Sequence, residues 1–320
     1  MLLFATESGI DQSKAAGIFV HNLLQLPSRC RVVELKQACY SATVSLQMAL
    51  PMLYNNLSQS KKILLIASDI ARYGLNSSGE SSQGAGAVAM ILSQNPRILA
   101  IEPESGFHTE DVPDFWRPNY KDEAIVDGKY SCELYLKLLQ KTWKQYTALS
   151  GRTYEQHARF CYHVSVPRLV EKAQQSLLAL NALPELSVSE LKEQLEPSLQ
   201  YGRVIGNCYT ASLYLSLISL LDNTSFDLSE QRIGFYSYGS GCVAEFFSGI
   251  IQKDYQTMLY KDDHQTMLMQ RKLVSTEEYE NFYNFSYPLN NISITIPKYK
   301  GGRYRLAAID EHKRIYKISI

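Results

Sequence analysis

Cys39 lies in the segment QACYSAT, where a predicted strand at 31–35 is followed by a predicted helix of small residues that starts at 38. The positive end of a helix dipole stabilises a thiolate, so this position predicts a thiol pKa below its usual value. A thiolate is a strong nucleophile towards acyl groups. From these facts alone, however, an inert buried cysteine is roughly three times as common as a nucleophile.

Two other segments carry side chains that could serve such a nucleophile. His163 ends a short predicted strand, and Asn207 opens a long apolar stretch. A lone histidine at a strand end is structural about twice as often as catalytic, and an asparagine before an apolar helix is usually its N-cap. Together, Cys39, His163 and Asn207 follow the chain order of a Cys/His/Asn condensing site. Glu7, after the first apolar run, adds a carboxylate that such a site could use as a base.

The composition restricts the class of protein. The chain has 320 residues, with 32 basic and 32 acidic side chains and a formal net charge of zero. Such a chain lacks the basic surface that nucleic-acid binding favours, so we expect no nucleic-acid partner. Because 45% of the residues are apolar, the chain can bury a sizeable core, and its length predicts about two domains.

The cysteines and apolar stretches predict the compartment. Six cysteines lie at 30, 39, 132, 161, 208 and 242 without the spacing of zinc ligands, so we expect reduced thiols and no metal site. The first residues lack the basic start of a signal peptide. The longest uncharged stretch, 204–221, contains several polar side chains and predicts a buried helix rather than a membrane span. We therefore expect a cytoplasmic protein without membrane association.

Predicted strands alternate with predicted helices, which favours a layered α/β fold. The strands are expected at 1–6, 31–35, 63–67, 84–92, 160–163, 234–238 and 304–320, and the helices at 11–24, 38–50, 130–149, 167–180, 191–196 and 207–221. Pro51 is expected to kink or end its helix near Leu50, and Pro197 is expected to end the helix at 191–196. Residues 102–127 are expected to form a long loop, and Ser275 with Glu278 fits a capping box.

Seven segments resemble, in order, those of the hydroxymethylglutaryl-CoA synthases of the thiolase superfamily. They are ATESGID, ELKQACYSAT, SDIARYGLNSSGESSQGAGAVAM, DFWRP, VDG, GNCYTASLYLSLISLL and FYSYGSG. So many segments in one order are far more specific than any one of them. The resemblance implies a thiolase-like five-layer α/β/α/β/α fold with two halves, 1–118 and 119–320, of which the N-terminal half is incomplete.

The resemblance also implies a reaction. Cys39 would take an acetyl group from acetyl-CoA, and Glu7, as general acid/base, would remove a proton from the acetyl methyl. The enolate would attack the ketone of acetoacetyl-CoA, which His163 would position and polarise, and water would free 3-hydroxy-3-methylglutaryl-CoA, a mevalonate-pathway (isoprenoid) intermediate. A weakly acidic methyl group needs a base whose pKa is raised by burial.

Seven substrate-binding residues follow from the same resemblance: Tyr40, Ser82, Arg168, Lys172, Asn207, Tyr209 and Ser240. Arg168 and Lys172 would meet the CoA phosphates, and Arg168 keeps the charge of the lysine usual in the family. The backbone N–H groups of Cys39 and Ser240 are candidates for an oxyanion hole. The resemblance implies no cofactor besides the CoA thioester substrates, and it implies a homodimer, with the strand at 31–35 as a candidate for pairing across it.

Three alternatives remain open. The first is a polyketide β-branching synthase whose acceptor is bound to acyl carrier protein; LKQACYS and SYGSGC favour it slightly, whereas RYGLNSSGE, DFWRP and YRLAAIDEHKRIY favour the mevalonate enzyme. The second is an inactive truncated product, because the family has a strand and a helix upstream of the Glu7 strand. We expect a chain without them to be unstable or to aggregate alone. The third is an α/β protein in which Cys39 is structural.

Overall fold

The computed structural model describes residues 1–55, 62–286, 293–298 and 302–319, and strands and helices alternate along them. The strands are β1 (Leu2–Ala5), β2 (Val32–Leu35), β3 (Lys62–Ile70), β4 (Ala85–Ser93), β5 (Leu99–Thr109), β6 (Phe115–Trp116), β7 (Ile125–Val126), β8 (Arg159–Tyr162), β9 (Arg232–Gly239), β10 (Val243–Ile251), β11 (Ile294–Thr295), β12 (Tyr304–Asp310) and β13 (Lys313–Ile318). The α-helices are α1 (Ala16–Leu23), α2 (Ser41–Tyr54), α3 (Gly128–Ser150), α4 (Pro167–Leu180), α5 (Val188–Ile205), α6 (Ser212–Asn223), α7 (Lys261–Met269) and α8 (Thr276–Tyr283). None of these helices is long and apolar enough to cross a membrane.

The first sheet has the strand order β2-β1-β3-β4. Strand β1 pairs in parallel with both neighbours, so that Leu2 lies opposite Val32 on one side and Leu64 on the other. All four residues of β1 are buried, as its continuous apolar run predicts. Because parallel neighbours share a carboxyl edge, Glu7 after β1 lies beside the end of β3.

The second sheet has the order β5-β10-β9-β8, and β5 corrects a prediction. We expected a loop from 102, but residues 102–109 continue this strand. Its charges are satisfied by tertiary contacts, since Glu102 forms ion pairs with Arg152 at 2.9 Å and with Arg232 at 2.8 Å. Pro103 is exposed on an edge strand, where a missing N–H is tolerated. The sequence pattern around Glu102 does not show that Arg152 and Arg232 are its partners, so this pattern does not predict the strand.

Helices fill the space between the sheets and cover the second one. Buried residues of α2 and α6 share one apolar cluster with residues of both sheets. Buried residues of α3, α4 and α5 form a second cluster with β8, β9 and β10. The expected mixed α/β fold is therefore confirmed.

Neither proline ends its helix, so the prediction for Pro197 is wrong, and of the two outcomes expected at Pro51 the end of the helix does not occur. Helix α2 runs on to Tyr54, one turn beyond Pro51. Helix α5 includes Pro197, and the side chain of Ser219 on α6 hydrogen-bonds to the backbone of α5 at this point. The Ser219 hydroxyl donates to the Pro197 carbonyl at 2.6 Å and accepts from the Tyr201 N–H at 3.2 Å. A side chain of a neighbouring helix thus lies between the Pro197 carbonyl and the Tyr201 N–H, one turn later in α5.

The other predicted helices differ from the observed helices mainly in the residues at which they begin and end. The first helix begins at Ala16 rather than at 11, and the stretch from 207 starts as a short 3₁₀ turn, Tyr209–Ala211, before α6. The capping box is confirmed, with Ser275 Oγ accepting from the Glu278 N–H at 3.1 Å and the Glu278 carboxylate accepting from the Ser275 N–H at 2.8 Å.

Two compact units divide the chain. One comprises 1–17 and 30–261 and contains both four-stranded sheets; the other comprises 18–29 and 262–320 and contains α7, α8 and the sheet β11-β12-β13. The expected halves, 1–118 and 119–320, stay a prediction.

The segment that precedes α6 packs tightly against the loop before β4. Gly206 has φ +90°, and a Cβ there would lie 2.3 Å from the Gln83 carbonyl oxygen. A Cβ on Gly84 would likewise lie 2.5 Å from the Ile205 carbonyl oxygen. The Asn207 N–H donates to the Ser82 carbonyl at 2.9 Å, which fixes the position of Asn207.

Gly206→Ala is expected to lower the free energy of unfolding by roughly 2–4 kcal/mol, because it adds left-handed strain to a backbone clash. Chemical denaturation measures the change. Gly128→Ala, at the first residue of α3 with no atom within 4 Å of its added Cβ, is the matched control and is expected to change little. Equal stability of the two variants would contradict this account of the contact.

Candidate active site

Cys39 and Glu7 are brought into contact by the start of α2 and the end of β1. The Cys39 thiol donates to Glu7 Oε2, with a distance of 3.3 Å from Sγ to the oxygen. Tyr40 occupies the N-cap of α2, so Cys39 lies just before the helix. The two residues are 32 positions apart in sequence, and their contact requires the parallel pairing of β1 with its neighbours.

The pKa values of both groups are raised. Burial is the main cause for Glu7, followed by the negative charge of Asp69, and together they raise its pKa from 4.5 to about 8. The expected direction for this carboxyl is therefore confirmed. The expectation for Cys39 is wrong, because burial first, and then the charges of Glu7 and Asp69, raise its thiol pKa well above the usual value. Desolvation and two carboxylates outweigh the helix dipole, so Cys39 needs a proton acceptor, and Glu7 is in place to be one.

Asp69 connects the elements around this pair. It is buried near the end of β3, and its Oδ1 accepts from the Thr6 hydroxyl at 2.6 Å and from the Glu7 N–H at 2.9 Å. Its Oδ2 accepts from the Thr210 N–H at 3.0 Å. One carboxylate thus holds the backbone of Glu7 and the turn before α6 in a single arrangement.

The DFWRP segment supports the site from another side. The Arg117 guanidinium donates to the Glu7 carbonyl oxygen, and its charge partly offsets the raised pKa of the Glu7 carboxyl. Asp114 is fully buried and accepts from the Tyr238 hydroxyl at 2.6 Å and from the Gly241 N–H at 2.8 Å. It therefore anchors the turn that carries Ser240.

His163 lies just after β8 and is buried. Burial lowers its pKa to about 4, so the imidazole is neutral at physiological pH. Its Nδ1 atom has no hydrogen-bond partner among the described residues. Leaving a buried polar atom unpaired costs roughly 1–3 kcal/mol, which favours a functional over a structural histidine.

Asn207 and Tyr209 are both buried and belong to one group of side chains with Tyr73. The Asn207 Oδ1 accepts from the Tyr209 N–H at 2.9 Å and from the Ser212 hydroxyl at 3.0 Å. The rings of Tyr209, Tyr73 and Phe115 meet edge to face, with centroids 5.8–6.3 Å apart. This aromatic cluster packs against Cys39.

The other predicted binding residues are more scattered. The Ser82 hydroxyl donates to the Gly79 carbonyl at 2.7 Å. Arg168 and Lys172 are exposed in the first turns of α4, shortly after His163. The Tyr40 hydroxyl donates to Glu245 at 2.5 Å, and the Ser240 carbonyl accepts from the Gln37 amide at 3.2 Å. The substrate-binding roles of these residues stay predictions.

A cleft of about 950 Å³ opens beside Glu7. Two predicted site residues, Glu7 and Ser240, line it together with Gln37 and Arg117. The other predicted site residues do not line this cleft: Cys39, Tyr40, Ser82, His163, Arg168, Lys172, Asn207 and Tyr209. The described residues contain no group of three or more His, Cys, Asp or Glu side chains that could hold a metal ion.

Four residues near the site were not singled out from the sequence: Asp69, Tyr73, Asp114 and Arg117. Asp69 and Tyr73 lie in SDIARY, and Asp114 and Arg117 in DFWRP. A signal was present for Asp69, since a charged residue near the end of an apolar run has to be paired or functional.

Asp69→Asn is expected to reduce turnover by roughly 10- to 100-fold, because a 1 Å misplacement of reacting groups has effects of this size. Removing its charge also lowers the pKa of Glu7, so the rising limb of the pH–rate profile is expected to move to lower pH. Asp227→Asn, an exposed control, should leave both rate and profile unchanged. An unshifted limb in Asp69→Asn would show that the charge of Asp69 does not act on Glu7.

Comparison with known proteins adds independent support. A family model described as hydroxymethylglutaryl-coenzyme A synthase C terminal matches residues 169–319. A hydroxymethylglutaryl-CoA synthase of Enterococcus faecalis is 40% identical over 283 residues, which cover 88% of this chain and 73% of that protein. A polyketide biosynthesis 3-hydroxy-3-methylglutaryl-ACP synthase of Bacillus subtilis is 34% identical over 301 residues, or 89% of this chain and 71% of that one.

The fold agrees with these sequence relatives. The crystal structure of an HMG-CoA synthase complexed with CoA superimposes with a TM-score of 0.93 at 38% identity, covering 100% of this chain and 81% of that one. A shared fold alone would not define a family, but identity at this level over most of the chain does. The chain therefore belongs to the hydroxymethylglutaryl-CoA synthase family of condensing enzymes.

Proposed function

We propose that this chain condenses acetyl-CoA with acetoacetyl-CoA, through an acetyl-Cys39 intermediate, to give 3-hydroxy-3-methylglutaryl-CoA and CoA in the mevalonate (isoprenoid) pathway. The observation that carries the proposal is the hydrogen bond between the Cys39 thiol and the Glu7 carboxyl, whose pKa is about 8. Catalytic acids and bases work best when their pKa lies near the operating pH.

In the first step, Cys39 Sγ attacks the carbonyl carbon of acetyl-CoA while its proton passes to the Glu7 carboxylate. The tetrahedral oxyanion is held by the backbone N–H groups of Cys39 and Ser240. Loss of the CoA sulfur completes the acetyl-enzyme, and the proton on Glu7 passes to the departing thiolate. Glu7 is then ionised again and ready to act as a base.

In the second step, the Glu7 carboxylate removes a proton from the methyl group of acetyl-Cys39. The resulting enolate carbon attacks the ketone carbon of acetoacetyl-CoA, whose oxygen His163 polarises. A neutral imidazole suits this role because it can donate a hydrogen bond without protonating Glu7. The proton on Glu7 then passes to the alkoxide, which becomes the hydroxyl group of the product and leaves Glu7 ionised. Water gives a proton to Glu7 as it attacks the thioester carbonyl, and Glu7 returns that proton to the departing Cys39 sulfur, which releases the product and regenerates the Cys39 thiol.

Substrate binding is assigned to the two groups of residues defined by the resemblance. Arg168 and Lys172, exposed at the start of α4, would meet the CoA phosphates. The acyl pocket would comprise Tyr40, Ser82, Asn207, Tyr209 and Ser240. The proposal includes a cytoplasmic location, a five-layer α/β/α/β/α fold and a homodimer. Strand β2 lies at the edge of the first described sheet, which leaves it available for pairing between subunits.

The direct test is the acetyl-CoA-dependent loss of acetoacetyl-CoA absorbance with the purified chain. We expect loss in the wild type and none in Cys39→Ser. The covalent intermediate is expected as a gain of one acetyl group on the peptide that contains Cys39, seen by mass spectrometry. A wild-type chain that gains no acetyl group and consumes no acetoacetyl-CoA would contradict the proposal and favour an inactive product.

A second candidate is condensation onto an acceptor bound to acyl carrier protein. The observation that favours it is the 34% identity to the Bacillus subtilis polyketide biosynthesis 3-hydroxy-3-methylglutaryl-ACP synthase. The acetyl-enzyme chemistry is the same in both cases, so only the acceptor distinguishes them. Turnover of acetoacetyl-acyl carrier protein without turnover of acetoacetyl-CoA would select this candidate.

A further inference from the structure

We propose that Glu245 is a positioning residue for the Cys39 nucleophile and acts on it through the hydroxyl group of Tyr40. The inference rests on the proposed acetyl transfer at Cys39, and it extends the site to a buried carboxylate on the second sheet.

The geometry is that of a buried carboxylate held by neutral donors. Glu245 lies on β10 with 3% of its surface exposed. The Tyr40 hydroxyl donates to one carboxylate oxygen at 2.5 Å, and the Gln47 amide donates to the other at 2.8 Å. The Ser105 side chain of β5 also hydrogen-bonds to it. The carboxylate therefore joins the beginning of α2, its second turn and the second sheet.

The protonation states favour a permanent hydrogen bond. Burial, and then the Glu245 charge, raise the pKa of Tyr40 far above its usual value, so the phenol keeps its proton at physiological pH. Burial raises the pKa of Glu245, but the hydrogen bonds from Tyr40, Ser105 and Gln47 stabilise its charged form. Hydrogen bonds to an ionised acceptor are shorter and roughly twice as strong as neutral ones.

A second contact fixes the other end of Tyr40. A Cβ on Gly239 would lie 2.6 Å from the Tyr40 Cβ and 2.7 Å from its backbone nitrogen, so the turn after β9 touches the Tyr40 backbone. The hairpin β9–β10 thus holds Tyr40 at its backbone through Gly239 and at its hydroxyl through Glu245. Cys39 precedes Tyr40 in the chain, and Ser240 follows Gly239. These two contacts therefore set the distance between the backbone N–H groups of Cys39 and Ser240, which form the proposed oxyanion hole.

A purely structural role does not explain why a buried carboxylate, Glu245, is paired with Tyr40. Replacing a buried charged group by a well-packed apolar one is often neutral or stabilising. A carboxylate that accepts from three directions instead holds α2 in one register and orientation against β10. Oxyanion donors need such placement, because displacements near 1 Å can cost about 100-fold in rate.

The test compares two reactions of Cys39 in the variants Tyr40→Phe and Glu245→Gln. One is the first-order rate of acetylation at saturating acetyl-CoA, which needs the oxyanion hole. The other is alkylation by iodoacetamide, which needs access to Cys39 and loss of its proton but no oxyanion hole. We expect acetylation to fall at least about tenfold in each variant while alkylation of Cys39 rises. The double variant is expected to be no slower than Tyr40→Phe alone, because Glu245 acts on Cys39 through the hydroxyl group that Tyr40→Phe already lacks.

An exchange variant tests the direction of the hydrogen bonds. In Glu245→Gln combined with Gln47→Glu, the new amide oxygen can accept from Tyr40, while its N–H₂ donates to the carboxylate at position 47. We expect this pair to recover part of the lost acetylation rate.

Matched controls come from a similar network elsewhere on the same sheet. The Ser248 hydroxyl accepts from the Tyr146 hydroxyl at 2.8 Å and donates to Glu102 at 2.5 Å. Tyr146→Phe and Glu102→Gln are expected to lower thermal stability and to leave the acetylation rate of Cys39 unchanged.

The outcomes separate this inference from the proposed function. Wild-type acetylation in Glu245→Gln would overturn the positioning role, as would an equal loss in the two control variants. If the wild type gains no acetyl group, the proposed function fails, and alkylation alone decides the positioning role. In that case, the expected result is faster alkylation of Cys39 in Glu245→Gln, with no alkylation of the buried Cys161 and Cys208. An unchanged rate of Cys39 alkylation would overturn the positioning role.

Discussion

Cys39→Ala is expected to abolish acetyl-enzyme formation and to lower condensation by at least about 10⁴-fold, because the variant has no nucleophile to carry the acetyl group. The thiol donates a hydrogen bond to Glu7 and packs against the aromatic cluster, but alanine keeps the Cβ and removes only the sulfur, so the variant should fold. Mass spectrometry of the acetylated protein and the loss of acetoacetyl-CoA absorbance measure the two effects. A thermal melt that matches the wild type would show that the fold is intact.

The control for this prediction is Cys30→Ala. Cys30 is only partly buried, and its sulfur contacts the carbonyl of the next residue at 3.7 Å, so its removal should leave activity unchanged. Full condensing activity in Cys39→Ala would mean that Cys39 is a structural cysteine. The assignment of the active site around Cys39 and Glu7 would then be wrong.

Glu7→Gln is expected to lower condensation by roughly 10³- to 10⁴-fold, the upper part of the range for general acid–base catalysis. The carboxylate accepts the thiol proton and then the methyl proton, and an amide can accept neither. In the wild type, the rate should rise with pH through an apparent pKa of about 8, because only the ionised carboxyl is a base. That rising limb should disappear in Glu7→Gln.

The pH dependence of folding stability tests the raised pKa of Glu7 without any measurement of activity. The Glu7 carboxyl releases its proton near pH 4.5 when exposed but near pH 8 in the folded protein. Between these values the folded state binds more protons, so the wild type loses stability as pH rises through this window. Glu7→Gln removes this titration, so its stability relative to the wild type should increase from pH 4.5 to 8.

Glu104→Gln is a suitable control, since this carboxyl on β5 is paired with Arg152 at 2.7 Å and its pKa is lowered. It should keep the wild-type rate and rising limb. A Glu7→Gln variant with a normal limb near pH 8 would mean that another group controls the protonation of Cys39.

The sequence by itself predicts the strands and helices whose pattern is local. The apolar runs of β1 and β3 and the amphipathic helices α3 and α4 lie close to their expected positions, because the burial of each run depends on its own residues. Ordered motifs around Glu7, Cys39 and Asn207 also indicate the family, since motif order requires no knowledge of contacts. The same order predicts which side chains react, and those roles stay predictions.

Tertiary structure decides what depends on a distant partner. Strand β5 carries Glu102 within a polar stretch, and it forms by pairing with β10 while Arg152 and Arg232 neutralise the Glu102 charge. Helix α5 continues past Pro197, where Ser219 of another helix hydrogen-bonds to the Pro197 carbonyl and to the Tyr201 N–H. In both cases the compensating group lies tens of residues away in the chain.

The same reason explains the pKa of Cys39. From the sequence, a cysteine before a helix should have an acidic thiol, because the dipole is the one local field. In the folded chain, Glu7 from β1 and Asp69 from β3 lie beside it, and burial removes the water that would screen them. A charged group's pKa depends on solvent exclusion and on all charges within a few ångströms, and both are set by tertiary packing.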